Sequence, residues 1–250
     1  MTCSPKKEKL DFMDKSHRTR KRVTALGLIS LALAGVAFAQ DLVALPAVLP
    51  KPNFIGTPSD LAENPRLEKA LGKPRPVPQV PVGTVNLALK KPVTASSEPY
   101  SGKLAQITDG NKDAAAGTTV EMKPRLQWVQ VDLGATSELS YILFWHFHEQ
   151  PVVFRDVIVQ ASNDPEFKTG VTTLFNNDWD DSAKADKALG SLLTGLETGK
   201  QLEYMETNEG KLVPANKVKA RYVRLYSRGS TYSDPLNRYN EIEVYGLPAK

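Results

Sequence analysis

The chain has 250 residues, 41% hydrophobic and 24% charged, which suits one or two globular domains and excludes a disordered or fibrous protein. Its formal net charge is +4, but residues 1–39 hold eight Lys/Arg against three Asp/Glu, a net of +5. Residues 40–250 are therefore close to −1 with His neutral, which leaves no basic stripe for nucleic acid and no strong pull toward an anionic membrane surface.

Residues 1–39 read as a secretory signal peptide. Lys6 to Arg22 is basic, Val23 to Val36 is apolar, and Ala37-Phe38-Ala39 is an A-x-A site with cleavage expected before Gln40. The apolar run is shorter than the ~20 residues of a spanning helix; a retained N-terminal anchor is the alternative. Met13 lies inside the basic stretch, so either Met1 or Met13 could start translation. The only cysteine, Cys3, precedes the apolar run. The exported part therefore has no disulfide, thiol nucleophile or thiolate metal site. An A-x-A leader and a cysteine-free domain predict a secreted or periplasmic bacterial protein.

Residues 40–83 follow as a Pro-rich linker, with nine of the eighteen prolines between Pro46 and Pro81. Proline fixes φ and removes a donor, so neither a central strand nor a long helix fits. One short helix is predicted, with Asn64 as cap, Pro65 at the first helical position and Gly72 as stop. The alternative to a free linker is a segment packed along the domain that follows.

Residues 84–250 change to short strands between turn signals. Val129, Val131 and Leu133 alternate with Trp128, Gln130 and Asp132. Val223 and Leu225 alternate with Tyr222, Arg224 and Tyr226, and Ile242 and Val244 with Glu241, Glu243 and Tyr245. Period-two alternation predicts two packed antiparallel sheets, an all-β sandwich with those valines, leucine and isoleucine inside. Asp180 to Tyr204 breaks the pattern and reads as a long loop with a helical turn at Ala183 to Leu189; long loops in compact domains often carry function.

The strand phrases fall in a recognisable order. They are NLALKKPVTASS (Asn86 to Ser97), Asp109-Gly110, WVQVDLG (Trp128 to Gly134), FRDVIVQASND (Phe154 to Asp164), ARYVRL (Ala220 to Leu225) and EIEVYG (Glu241 to Gly246). Together they resemble the discoidin domain, or coagulation factor V/VIII C-type domain, and are similar to family 32 carbohydrate-binding modules. The resemblance covers about two thirds of the chain, a span suited to one domain. It implies a galactose-binding-like jelly roll that binds through loops at one end. It also implies a structural calcium between the D-G loop and the last strand, held by Asp109 and Glu241 with Asn111 and Thr118. This chain departs from that pattern by inserting Lys112 to Gly117 before Thr118. The alternative is an Asp-Gly turn beside an ordinary strand-edge glutamate.

His146 and His148, in YILFWHFHEQ, are the only histidines beyond residue 39. They fit a sugar-binding rim, a transition-metal site lacking a nameable third ligand, or plain strand packing. For ligand contacts the resemblance points to loop residues of the type found at Arg155, Trp179, Arg228 and Tyr232. Trp179 sits in FNNDWDD and is the best exposed ring; Trp128 and Trp145 fit core positions. The Asn176 to Asp181 run could hold a cation but lacks EF-hand spacing. Tyr232, Asn237 and Arg238 form a fallback site.

No G-x-S-x-G elbow, H-E-x-x-H helix, Walker loop or dinucleotide fingerprint occurs. The sequence thus predicts a non-catalytic extracytoplasmic module that recognises carbohydrate or a glycoconjugate. Alternatives are a protein–protein adaptor or structural module of the envelope, lipid-headgroup binding, and glycoside hydrolysis by an acid pair.

Overall fold

The computed structural model describes residues 41–54, 64–232 and 234–249, and among them are eleven strands. In chain order they are β1 (Leu42–Ala44), β2 (Gln79–Pro81), β3 (Val85–Asn86), β4 (Val93–Ala95), β5 (Val120–Met122) and β6 (Gln127–His146). Then come β7 (Ile158–Ser162), β8 (Thr172–Asn176), β9 (Lys211–Pro214), β10 (Lys219–Ser227) and β11 (Asn237–Leu247). The alternating segments fall in β6, β10 and β11, while β1 and β2 lie in the stretch read as linker. The leader and its cleavage site lie outside the described residues, as do linker residues 55–63.

The architecture is an antiparallel β-sandwich, and β6 runs through both layers. Its first half pairs with β4 and β10, with Val131 opposite both Val93 and Val223. Its second half pairs with β11 and β9, with Ile142 opposite both Val244 and Val213. β7 and β8 extend the first layer; β3 and β5 flank β11 in the second. The strand changes layers after Gly134, whose φ of 85° suits a residue without Cβ. A register shift between Ala220 and Tyr222 on β10 accommodates the bend.

Between the layers lie Val129, Val131, Val223, Leu225, Ile242 and Val244, each fully buried. Burying such a side chain is worth roughly 1.5–3 kcal/mol, so this interior dominates the stability. The outer faces are covered too. Leu143, Trp145 and Tyr245 point away from the interior and are roofed by Leu45 and Val80. Ile158 and Tyr226 are roofed by Leu126, Ala183 and Leu193.

The roof over Trp145 comes from the segment predicted as linker. β1 pairs with β2, and the Trp145 indole N–H donates to the Asn208 carbonyl at 2.9 Å. The described parts of residues 40–83 therefore pack along the sandwich. The short helix at Asn64 is replaced by a turn. Asn64 Oδ1 accepts from the Arg66 amide at 2.9 Å and its carbonyl from Leu67 at 3.0 Å. Glu203 then engages the backbone on both sides of Leu67, bonding to the Arg66 carbonyl and the Glu68 amide. Those bonds, with the prolines that follow, hold the chain extended. The loop from Asp180 to Tyr204 folds as turns closed by a 3-10 helix at Gly190–Leu193. Among the described residues no helix is long and apolar enough to cross a membrane.

Candidate functional site

At one end of the sandwich β6 terminates, β7 begins, β8 terminates, and the β10–β11 connection crosses over. The segment before β7 and that connection zip together. The Arg155 amide donates to Gly229, the Arg228 amide to Arg155 and the Thr231 amide to Val153, each at 2.9 Å. These bonds fix Arg155 and Arg228 side by side, both exposed to solvent. The Val157 amide donates to Asn177 Oδ1 at 2.6 Å, which draws the end of β8 and the following Asp178-Trp179-Asp180 against the same zipper.

Trp179 is 42% exposed, unusual for so large a ring, and the Arg66 guanidinium stands 4.2 Å from its centroid. At the other end of the zipper Tyr232 is half-buried. It packs edge-on against Phe147 at 5.6 Å, with the Arg238 guanidinium 5.1 Å from its ring. Arg238 is itself held by Glu121 at 2.9 Å and Asp234 at 2.6 Å. The structure places Arg155 and Arg228 together on the zipper, Trp179 on the segment after β8 that is drawn against it, and Tyr232 on the β10–β11 connection.

Tyr100 is 75% exposed, and its amide donates to the carbonyl of Glu121, the residue that holds Arg238. Sequence reasoning missed it, although it sits in EPYSG, a polar turn with the features that singled out Trp179.

His146 and His148 belong elsewhere. His146 is fully buried, its Nδ1 2.7 Å from Glu206 Oε1, and its ring stacks on Phe154 with centroids 4.3 Å apart. His148 is 1% exposed, with Nε2 at 2.8 Å from the Lys112 carbonyl. Neither lines a rim, and among the described residues the two histidines are not gathered with a third metal-binding side chain. Both withdraw from the contact set, because the plain packing reading is the one realised: a strand end enclosed by Phe154, Tyr239 and the Lys112 loop.

A carboxylate cluster underlies the Trp179 loop. Asp156, Asp178 and Asp180 each place one oxygen within 4.8 Å of the others, an arrangement that could hold a metal ion. Asp156 Oδ2 accepts from the Ser182 hydroxyl at 2.7 Å, and Arg228 approaches it only to 3.6 Å. Asp178 is 1% exposed; burial, then the neighbouring Asp156 charge, pushes its carboxyl up to about 6. Sequence reasoning reached Asp178 and Asp180 through FNNDWDD but not Asp156, more than twenty positions away across a sheet.

The D-G corner brings together Asp109 and Glu241. Glu241 is fully buried, and both its oxygens lie 3.2 Å from the Gly110 amide. Burial pushes its carboxyl up to about 9, with the charges of Glu243 and Asp109 adding to the rise and Lys112 opposing it. A buried carboxylate with so little compensation fits a hard cation. The other two predicted ligands have side chains engaged within the inserted loop. Asn111 Oδ1 accepts from the Asp113 amide at 3.1 Å, and the Thr118 hydroxyl donates to the Asp113 and Ala115 carbonyls. That loop delivers Lys112, whose ammonium lies 2.9 Å from Glu243.

No family model matches the chain, and no curated protein matches it significantly. Among solved structures it is similar to a family 32 carbohydrate-binding module of Clostridium perfringens, in complex with GlcNAc-alpha-1,4-galactose. That match has 13% identity, spans 67% of this chain and 97% of the other, and has a TM-score of 0.45. It is similar to a chitosan-binding module of a Paenibacillus chitosanase/glucanase, at 23% identity over 65% and 99% of the two chains, TM-score 0.40. It is also similar to the lectin domain of lectinolysin complexed with Lewis B antigen, at 20% identity over 67% and 100%, TM-score 0.44.

Proposed function

We propose that this chain is a non-catalytic, extracytoplasmic carbohydrate-binding module whose ligand sits at the loop end described above. The observation that carries this reading is Trp179, a large ring left in solvent on a loop that is itself well anchored. An exposed ring stacks on the apolar face of a pyranose. Arg155 and Arg228 donate to hydroxyls, and the Asp180 carboxylate accepts from them. Tyr232 and Tyr100 extend the same end and suit a ligand longer than one sugar.

In this reading the D-G corner is a structural calcium site built on Asp109 and Glu241, with loop carbonyls near Asn111 and Thr118 completing the shell. Its task is to hold the loop against β11 and not to touch the ligand. Export through the leader places the module outside the cytoplasm, in the periplasm or beyond.

A glycan array probed with the full chain tests the reading, with GlcNAc-alpha-1,4-galactose, chitosan and Lewis B in the panel. Any hit is then titrated by calorimetry. Trp179→Ala is expected to weaken binding roughly tenfold to a hundredfold, as for a central aromatic anchor, with thermal unfolding nearly unchanged. An array without a hit, together with a protein captured reproducibly in pull-downs, would favour the adaptor reading instead.

A further inference from the structure

The carboxylate cluster under Trp179 shares no residue with the D-G corner, and its parts do not neutralise one another. The Asp178 Oδ2 accepts from the Ala183 amide at 3.2 Å, while its Oδ1 is sealed from solvent and has no donor at all. The Asp178 carboxyl also lies within hydrogen-bonding reach of Asp180. Asp180 Oδ1 accepts from the Ser182 amide at 3.1 Å. Lys184, the nearest lysine in sequence, is turned to Asp181 and to the Leu196 carbonyl. The remaining cation, Arg228, is 39% exposed and grazes Asp156 at 3.6 Å.

Three oxygens within 4.8 Å of one another match the spacing possible around one hard cation, since ligands at roughly 2.3–2.6 Å from calcium cannot stand more than about 5 Å apart. No imidazole or thiolate joins the set, so the chemistry favours calcium, magnesium or manganese over zinc.

We propose that Asp156, Asp178 and Asp180 bind a divalent hard cation, calcium first, at the base of the Trp179 loop. This site is separate from the D-G corner. Asp156 comes from the segment before β7, and Asp178 and Asp180 from the segment after β8. The ion would therefore cross-link two loops that are otherwise joined by the Asn177–Val157 bonds. The proposal stands whether or not a glycan binds above it.

The test uses the full chain, freed of metal by chelation, and three proteins: wild type, Asp178→Asn and Asp109→Ala. Calcium is titrated by calorimetry. Terbium is titrated by sensitised emission, with Trp179, flanked by two of the three carboxylates, as the donor. Asp178→Asn is expected to weaken calcium roughly tenfold or more at this site, and to abolish the terbium emission that Trp179→Phe also abolishes. Asp109→Ala is expected to keep that emission. In chelator Asp178→Asn should melt no lower than wild type, because it removes a buried charge without a partner. With calcium added, only the proteins that retain Asp178 should gain melting temperature through this site. A purely structural role for Asp178 would instead lower the melting temperature in chelator. The proposal is overturned by that lowering, by calcium binding in Asp178→Asn equal to wild type, or by no cation binding in wild type at millimolar calcium.

Discussion

At the D-G corner two buried glutamates share a lysine; at the loop end only Asp156 of the three aspartates has a guanidinium near it, 3.6 Å away. Both regions take carboxylates out of water, which is costly unless a counter-charge comes with them. At the corner the inserted loop brings Lys112 to 2.9 Å from Glu243, so part of the counter-charge is covalent and permanent. At the loop end Asp178 has a sealed oxygen with no donor. The contrast separates a region whose charge is partly neutralised from within from one that depends on what solution provides. The second kind is the more responsive, because its order then follows an external concentration.

The largest effect that would break this comparison is at the corner. Lys112→Met should remove the cation from a glutamate that is only 4% exposed in its side chain, lowering stability by about 3 kcal/mol in urea unfolding. An unfolding midpoint equal to wild type would mean that Lys112 does not hold the corner, and the contrast would fail. Asp178→Asn should move the other way in chelator, as described above.

A second experiment sharpens the comparison with calcium. If the corner also takes the ion, chelator lowers the melting temperature of wild type through both sites, and Asp109→Ala shows the smaller of the two chelator responses. Saturation at about a hundred times the dissociation constant is worth about 2.7 kcal/mol per site, within reach of calorimetric scans. Identical chelator responses in wild type and Asp109→Ala would confine calcium to the loop end.

The smallest effect supplies a solvent-exposed reference. Arg221 Nε and Nη2 donate to Asp132 at 2.7 and 2.8 Å, on a surface open to water. The bond to Arg221 holds the Asp132 carboxyl below its usual 3.8. A depressed folded value stabilises the fold above the unfolded value and is lost as pH falls through the folded one. Arg221→Ala should therefore be slightly less stable than wild type at pH 7, and the difference should shrink below about pH 4. A difference that persists at pH 2 would assign the effect to lost packing of the arginine stem.

Much of the fold was legible because alternation is local. Val129, Val131, Val223, Leu225, Ile242 and Val244 needed only their own neighbours in sequence to reveal an inward face. What was not legible depended on what lay outside each strand. Tyr226 points outward by the same alternation, yet the Asp180 to Tyr204 loop covers it, and the strap that covers Trp145, read as a core ring, came from the segment read as linker. For His146 the rim and packing readings stood level until Glu206 and Phe154, distant in sequence, closed over it. The candidate contacts on polar loops, Arg155, Trp179, Arg228 and Tyr232, were picked out one at a time. The cluster was not, because carboxylates gathered across a sheet obey no sequence spacing. Asn111 and Thr118 illustrate the reverse case, in which six inserted residues gave both side chains nearer partners.

The pairing of β3 with β11 also sets a timetable. The bond from the Val244 amide to Asn86 Oδ1 joins residues 158 positions apart, and β6 needs β11 for the whole of its second half. Contacts of that span make folding slow compared with helical domains of equal size. They cannot form until the last strand has been synthesised, which at roughly 5–20 residues per second takes many seconds after β3 appears. From the time β6 has emerged until β11 follows, the second half of β6 has its β11-facing edge open. A chain stopped short of Asn237 would keep that edge open permanently, offering it to any other unpaired strand nearby.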